Sequence, residues 1–214
     1  MLKILKKTDL KFIFMLFYFL MAIPSLHSKS ESIAFCLEVN GSVQRNGSIR
    51  SGVVRKGDSI YNGDKIITGG NGFISYAYIY EETNVKIYQN SVVKIMNRNI
   101  STGTASEIAI FGGKAIIETK QGSDSFIVSS PSSTCETNGS RFITEYKNQL
   151  LYDNLSYCLF TVLEGSIKIQ NNISEDIMYL KSGKTIVSTK NGKFLQLDTF
   201  KSSTEIQKTL LKGK

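Results

Sequence analysis

The sequence predicts an all-β fold, a jelly-roll or β-sandwich of about 12–14 short antiparallel strands. Asn-Gly pairs, the strongest short signal for a β-hairpin, recur along the chain and begin at Asn40, Asn46, Asn62, Asn71, Asn138 and Asn191. Between these turns apolar and polar residues alternate with period two, which is the pattern of a strand with one buried face. Beyond residue 30 the only proline is Pro131, and no helical periodicity exceeds about three turns.

Residues 1–30 carry the features of an export signal. Four lysines precede an apolar run over residues 12–23, and Pro24 and several small residues follow it. The run is shorter than the roughly 20 residues that a membrane span needs, but it fits the core of a signal peptide. We therefore predict a signal peptide that is cleaved near residue 30, with an uncleaved N-terminal anchor as the alternative. The protein is then periplasmic or secreted, and only this segment contacts a membrane.

Residues 31–200 are predicted to form one β-domain. In the stretch 84–95, Val85 and Ile87 point to one face, whereas Lys86 and Tyr88 point to the other. Similar patterns predict strands at residues 107–111, 114–120, 125–129, 141–147, 157–163, 166–170, 177–180, 185–188 and 193–197. Residues 201–214 are predicted to form a tail or a short helix over 202–212, capped by Ser203, with an apolar stripe of Ile206, Leu210 and Leu211.

The net charge of +8 divides into two parts. Residues 1–30 hold five basic residues and one acidic residue, so half of the net charge belongs to the predicted signal peptide. The other half is spread over the rest of the chain instead of forming a basic stripe. This dilute charge predicts no nucleic-acid partner.

The single histidine, His27, lies inside the predicted signal peptide. The exported chain would then lack imidazole, which excludes a Ser-His-Asp triad, a Cys-His thiol site and a histidine-containing zinc site. We predict no enzymatic activity, no cofactor and no metal. Asp58 and Asp64 are the best-placed pair for a carboxylate-based glycan hydrolase, but Gly-Asp sequences are typical of turns, which is the interpretation we favour.

Three cysteines, Cys36, Cys135 and Cys158, allow at most one intramolecular disulfide in an exported protein. Cys135 with Cys158 closes the shorter loop, but the sequence leaves the pairing open. Three reduced and buried side chains are at least as good an interpretation, because free cysteine behaves as a small apolar residue.

A row of large side chains is the candidate partner face. In residues 73–80, period two places Ile74, Tyr76, Tyr78 and Tyr80 on one side of a strand. Tyrosine suits contacts with protein or carbohydrate because its ring is apolar and its hydroxyl is polar. The alternative is that these rings cover a half-buried sheet face, where tyrosine is favoured in any case.

Two successive Gly-Asp turns and several later glycines form a pattern that resembles the FecR domain of bacteria. The matching positions are Gly57, Asp58, Gly63, Asp64, Thr68, Gly69 and Gly72, followed by Gly139, Ser140, Phe142 and Gly165. The likeness spans roughly residues 35–187, in order and with suitable spacing. Ser140 departs from the pattern, because the family usually has threonine there.

The resemblance implies a jelly-roll-like domain outside the cytoplasm. In the regulator that gives the family its name, this domain follows a cytoplasmic segment and a membrane helix, and it passes a signal from an outer-membrane transporter to a sigma factor. Here only about ten residues precede the apolar run, too few to fold, so we expect no direct contact with a sigma factor. We expect instead a binding module whose partner is an envelope protein or a surface glycan. A structural β-scaffold in the envelope is the first alternative, and a glycan hydrolase is the second.

Overall fold

A computed structural model describes residues 31–80, 82–100, 103–122, 125–148 and 155–197. Seventeen strands occupy these ranges, and the prediction of an all-β fold is confirmed. They are β1 (Ser32–Asn40), β2 (Val43–Asn46), β3 (Gly52–Val53), β4 (Ser59–Tyr61), β5 (Lys65–Thr68), β6 (Phe73–Tyr78), β7 (Thr83–Ile87), β8 (Val92–Ile100), β9 (Gly103–Thr119), β10 (Phe126–Ser129), β11 (Ser133–Thr137), β12 (Arg141–Lys147), β13 (Tyr157–Glu164), β14 (Ser166–Asn171), β15 (Ile177–Lys181), β16 (Thr185–Thr189) and β17 (Phe194–Leu197). The predicted signal peptide and the C-terminal tail or helix lie outside the described residues.

The strands form two sheets that share the long strand β9. Sheet A has the order β4-β1-β6-β7-β9-β12-β13-β16-β17. Sheet B has the order β3-β2-β5-β8-β9-β10-β11-β14-β15. The first part of β9 pairs with β8 in sheet B, and its last part pairs with β12 in sheet A. The chain therefore folds into a sandwich in which one strand belongs to both layers.

Three details of the predicted strands are wrong. Residues 107–111 and 114–120 were predicted as two strands, but they belong to one strand, because Gly112 and Gly113 allow it to bend from one sheet into the other. The strands are not all antiparallel, since β10 returns from sheet A to lie parallel to the first part of β9. They are also more numerous than predicted, because β2 to β5 contain only two to four residues each, too few to show an alternating pattern.

The core lies between the two sheets. Its largest fully buried side chains include Tyr76, Phe126, Phe142 and Phe160. Burial of each phenylalanine stabilises the fold by roughly 1.5–3 kcal/mol before the cost of ordering the chain is subtracted. Isoleucine and valine fill most of the remaining core, as the high β-propensity of branched side chains leads one to expect.

All three cysteines are buried and unpaired. Burial raises the pKa of the Cys36 thiol to about 11 and that of the Cys158 thiol to about 12. It also raises the pKa of Cys135. The interpretation of these residues as small buried apolar groups is confirmed.

Among the described residues, no helix is long and apolar enough to cross a membrane.

Candidate functional site

The two Gly-Asp sequences form turns, as predicted. Gly57 and Gly63 have φ values of +84° and +90°, a conformation that side chains other than hydrogen disfavour. The Asp58 carboxylate accepts a hydrogen bond from the backbone N–H of Arg55 at 2.9 Å. Asp64 does the same for the N–H of Tyr61 at 3.0 Å. Each carboxylate thus closes its own turn.

Arg45 joins the two turns from inside the sandwich. This residue of β2 is only 3% exposed, and its Nη1 donates to the carbonyl of Ser59 at 2.6 Å. Its guanidinium lies 3.6 Å from the Asp64 carboxylate and 3.9 Å from that of Asp58. Burial raises the pKa of Asp64, and the nearby guanidinium opposes that shift. Both acids are therefore occupied in a buried ion network and are not a free catalytic pair.

Thr68 connects the first half of the motif to a neighbouring turn. Its hydroxyl donates to the carbonyl of Tyr88 at 2.6 Å and accepts from the N–H of Ser91 at 2.9 Å. Gly69 and Gly72 let this region approach Ser42, because an added Cβ would lie 3.1 Å from the Ser42 Cβ and 2.3 Å from its carbonyl oxygen, respectively. Thr68 thus fixes the turn between β7 and β8, and the two glycines allow close approach to the turn between β1 and β2.

The second half of the motif also serves packing. Gly139 has a φ of +82°, and an added Cβ would lie 2.6 Å from the Cα of Gln121. The N–H of Ser140 donates to the hydroxyl of Thr119 at 2.9 Å, and Phe142 is fully buried. A Cβ on Gly165 would lie 2.6 Å from the carbonyl oxygen of Gly139. Serine fits at position 140 because its hydroxyl hydrogen-bonds that of Thr137.

The predicted partner face is wrong for three of its four residues. Ile74, Tyr76 and Tyr78 are buried, because β6 lies inside sheet A and turns this side toward sheet B. The Tyr78 hydroxyl crosses the sandwich and donates to the carbonyl of Glu107 at 2.9 Å. Tyr80 is 74% exposed, but it follows the end of the strand and hydrogen-bonds the Glu31 carboxylate.

A cleft of about 500 Å³ opens where β9 passes from sheet B to sheet A. Its volume lies within the range of roughly 300–1,000 Å³ that is typical of ligand sites. Three short segments line it: residues 88–90 after β7, residues 112–114 at the bend of β9, and residues 145–148 at the end of β12. The alternating pattern of the sequence does not reveal this cleft, because its residues come from three distant parts of the chain.

Charged and aromatic side chains form a row along the cleft on the outer face of sheet A. The Lys114 ammonium lies 4.8 Å from the centre of the Tyr88 ring, a cation–π distance. Glu145 stands directly opposite Lys114 in the strand register, and its carboxylate lies 2.5 Å from the Lys147 ammonium. The Phe73 ring meets Tyr88 edge-on, with 5.6 Å between ring centres. The cleft thus offers two cationic groups, one anionic group and an aromatic ring.

Backbone contacts hold the cleft in place. The Ser91 hydroxyl accepts a hydrogen bond from the N–H of Lys114 at 3.0 Å. Gly113 has a φ of +85°, and an added Cβ would lie 2.1 Å from the Ser91 Oγ. Asn90 also has a positive φ of 56°, which asparagine tolerates better than most residues. Because Thr68 at the end of β5 binds both Tyr88 and Ser91, the strand that follows the second Gly-Asp turn is hydrogen-bonded to the segment that forms one side of the cleft.

No protein-family model and no curated protein matches the sequence. Two crystal structures of a candidate anti-sigma factor from Parabacteroides distasonis ATCC 8503 are similar to this chain. The structure at 2.50 Å resolution has 16% identity and a TM-score of 0.48, covering 63% of this chain and 59% of that one. The structure at 1.65 Å resolution has 15% identity and a TM-score of 0.48, covering 68% of this chain and 64% of that one. A cell surface anchoring domain has 29% identity and a TM-score of 0.28, covering 30% of this chain and 84% of that one.

The chain thus spans less than two thirds of each anti-sigma factor chain. TM-scores this low establish neither a common fold nor a common activity. Membership of the FecR family stays a prediction from the motif.

Proposed function

We propose that this protein is an exported, non-catalytic binding module of the bacterial cell envelope, similar to FecR domains, and that its cleft binds a surface glycan. The observation that carries the proposal is the polar cleft at the bend of β9. It combines an aromatic ring, amide side chains and charged groups around a volume of about 500 Å³.

The chemistry of the cleft suits a sugar. Sugar hydroxyls both donate and accept hydrogen bonds, and the amides of Gln89, Asn90 and Asn148 at the rim offer both kinds of group. The half-buried Tyr88 ring supplies an apolar surface beside them. Lys114 and Lys147 outnumber Glu145, which favours a glycan that carries anionic groups.

The number and pairing of the carboxylates favour a binding function over a catalytic one. Glycoside hydrolysis commonly needs two carboxyl groups that flank the scissile bond. Glu145 is the one carboxylate among the described residues that line the cleft, and it is bound by Lys147. Asp58 and Asp64 are held at Arg45.

Binding to isolated cell-wall sacculi tests this proposal. The protein is purified after export from cells that express the full chain, and the fraction that sediments with the sacculi is measured. We expect Tyr88→Ala and Lys114→Gln to weaken binding at least tenfold, because each removes one side of the cation–π pair. Lys86→Gln is the matched control, since Lys86 is an exposed lysine of the neighbouring strand β7 outside the cleft.

Two results would overturn the proposal. If the wild-type protein does not sediment with sacculi, or if both cleft variants bind as well as the Lys86→Gln control, the cleft does not bind this glycan. If the wild-type protein releases soluble sugar from the sacculi, the non-catalytic assignment is wrong.

A further inference from the structure

Strand β15 is an open edge of sheet B. It pairs with β14 on one side, and no strand of the described residues pairs with its other side. The opposite edge of the sheet, β3, has two residues, whereas β15 has five. Edge strands in stable monomers are usually short, charged or covered, because their unpaired backbone groups invite another strand. Within the described residues β15 is the longer and less protected edge of its sheet.

The hydrogen bonds that flank β15 show which of its backbone groups face away from β14. The N–H of Asn171 donates to the carbonyl of Asp176 at 3.0 Å, and the N–H of Ser182 donates to that of Gly165 at 3.0 Å. In an antiparallel ladder, alternate residue pairs exchange hydrogen bonds. The backbone groups that point away from β14 are therefore those of Ile177, Tyr179 and Lys181. Of these, the carbonyl of Lys181 already accepts a hydrogen bond from the N–H of Lys184 at 3.2 Å.

Apolar side chains are concentrated at the same edge. Ile177 is 49% exposed and Tyr179 is 70% exposed. Ile173, in the turn that leads into β15, is 61% exposed. Single exposed apolar residues are ordinary, but a group of them beside an unpaired strand indicates an interaction surface.

The charges at the two ends of β15 have opposite signs. Glu175 and Asp176 precede the strand, while Lys181 and Lys184 stand at its end and beyond. If a second β15 lies antiparallel to the first, each acidic end meets a basic end. A parallel arrangement would place like charges together. The edge is therefore complementary to itself in one orientation.

We propose that β15 is a homodimer interface, in which a second copy of this chain pairs its β15 antiparallel about a two-fold axis at Tyr179. In this register Tyr179 lies opposite Tyr179 of the second copy, and Ile177 lies opposite Lys181. Tyr179 then exchanges two hydrogen bonds with Tyr179 of the second copy, the N–H of Lys181 donates to the carbonyl of Ile177, and two copies of sheet B become one continuous sheet. The interface lies outside the residues that line the cleft, so it is tested independently of glycan binding.

Sedimentation equilibrium of the exported protein tests the interface. We expect a mass that rises with concentration from that of one chain toward twice that value. Tyr179→Glu places two carboxylates together at the two-fold axis, while within its own chain the new carboxylate faces Lys168. This variant should raise the dissociation constant at least tenfold without loss of β-structure by circular dichroism. Val53→Glu, on the opposite edge strand at a residue 64% exposed, should leave the dimer unchanged.

A cysteine cross-link provides a second readout that does not depend on weakening the dimer. Paired Cα atoms in an antiparallel ladder lie about 5.5 Å apart, within the usual range for a disulfide. Oxidised Tyr179→Cys should give a covalent dimer, whereas Val53→Cys should not, and the native thiols are buried. The proposal is overturned by a wild-type protein that stays monomeric at its highest soluble concentration, by a dimer that tolerates Tyr179→Glu, or by equal cross-linking of the two cysteine variants.

Discussion

Arg45 is a buried cation whose partners all belong to the repeated Gly-Asp turns. Its guanidinium lies near both Asp58 and Asp64, and its Nε has no hydrogen-bond partner among the described residues. A buried ion pair contributes little net stability by itself, but removal of one partner leaves the other charge uncompensated. We therefore expect substitution of Arg45 to destabilise the folded state.

We predict that Arg45→Ala lowers the free energy of unfolding by about 3–5 kcal/mol, measured by urea denaturation. Arg50→Ala is the control, because Arg50 also binds Asp58 but its side chain is 51% exposed; its loss should cost about 0–1 kcal/mol. The loss of unfolding free energy in Arg45→Ala should grow as the pH rises from about 4 to about 7. Burial raises the pKa of Asp64, and without the guanidinium its ionisation destabilises the folded state. Equal losses for the two variants would contradict this account of the network.

The burial of the three cysteines determines how fast the native protein reacts with thiol reagents. Because burial raises the pKa of Cys36 to about 11 and that of Cys158 to about 12, few of these thiols are ionised at neutral or mildly alkaline pH. The native protein should react with a thiol reagent only as fast as it unfolds, with little acceleration between about pH 7 and pH 9. Denatured protein should show three reactive thiols. Rapid labelling of the native protein would show that the thiols are accessible.

At the scale of single elements, the bend of β9 shapes both the fold and the cleft. Gly113 allows the strand to pass beside Ser91 with a positive φ. We predict that Gly113→Ala destabilises the protein by at least about 2 kcal/mol, because the new Cβ is strained at this φ and collides with Ser91. Gly112→Ala is a matched control, since nothing lies within 4 Å of its added Cβ. Both variants are compared by thermal unfolding, and equal stability would contradict a requirement for glycine at 113.

Strands β12 and β6 show which structural features can be predicted from the sequence and which cannot. Strand β12 has the bounds predicted from its alternating pattern, because one face of it is buried and the other is not. The alternation also placed Ile74, Tyr76 and Tyr78 on one face correctly, but it does not reveal which face meets the second sheet. Arg45 was missed because a buried arginine in an alternating strand looks like an exposed one. The cleft was missed because it depends on the bend at Gly113 and on contacts between distant strands.

At the scale of the whole molecule, the shared strand makes one cooperative unit of the described domain. β9 contributes to both sheets, and a single core cluster contains residues from both. We predict one unfolding transition, with coincident curves from far-ultraviolet circular dichroism and tyrosine fluorescence. Two separate transitions would show that the halves on either side of β9 fold independently.

Glycan binding by the cleft at the bend of β9 is the property on which the proposed function depends. Its most direct test is a nuclear magnetic resonance titration of the isotope-labelled exported protein with soluble fragments of cell-wall glycan. We expect shifts confined to the cleft, at the backbone amides of Gln89, Asn90, Gly113, Lys114 and Asn148, with no shifts at β15. An unchanged spectrum at saturating glycan, or shifts that lie away from these residues, would contradict glycan binding by the cleft.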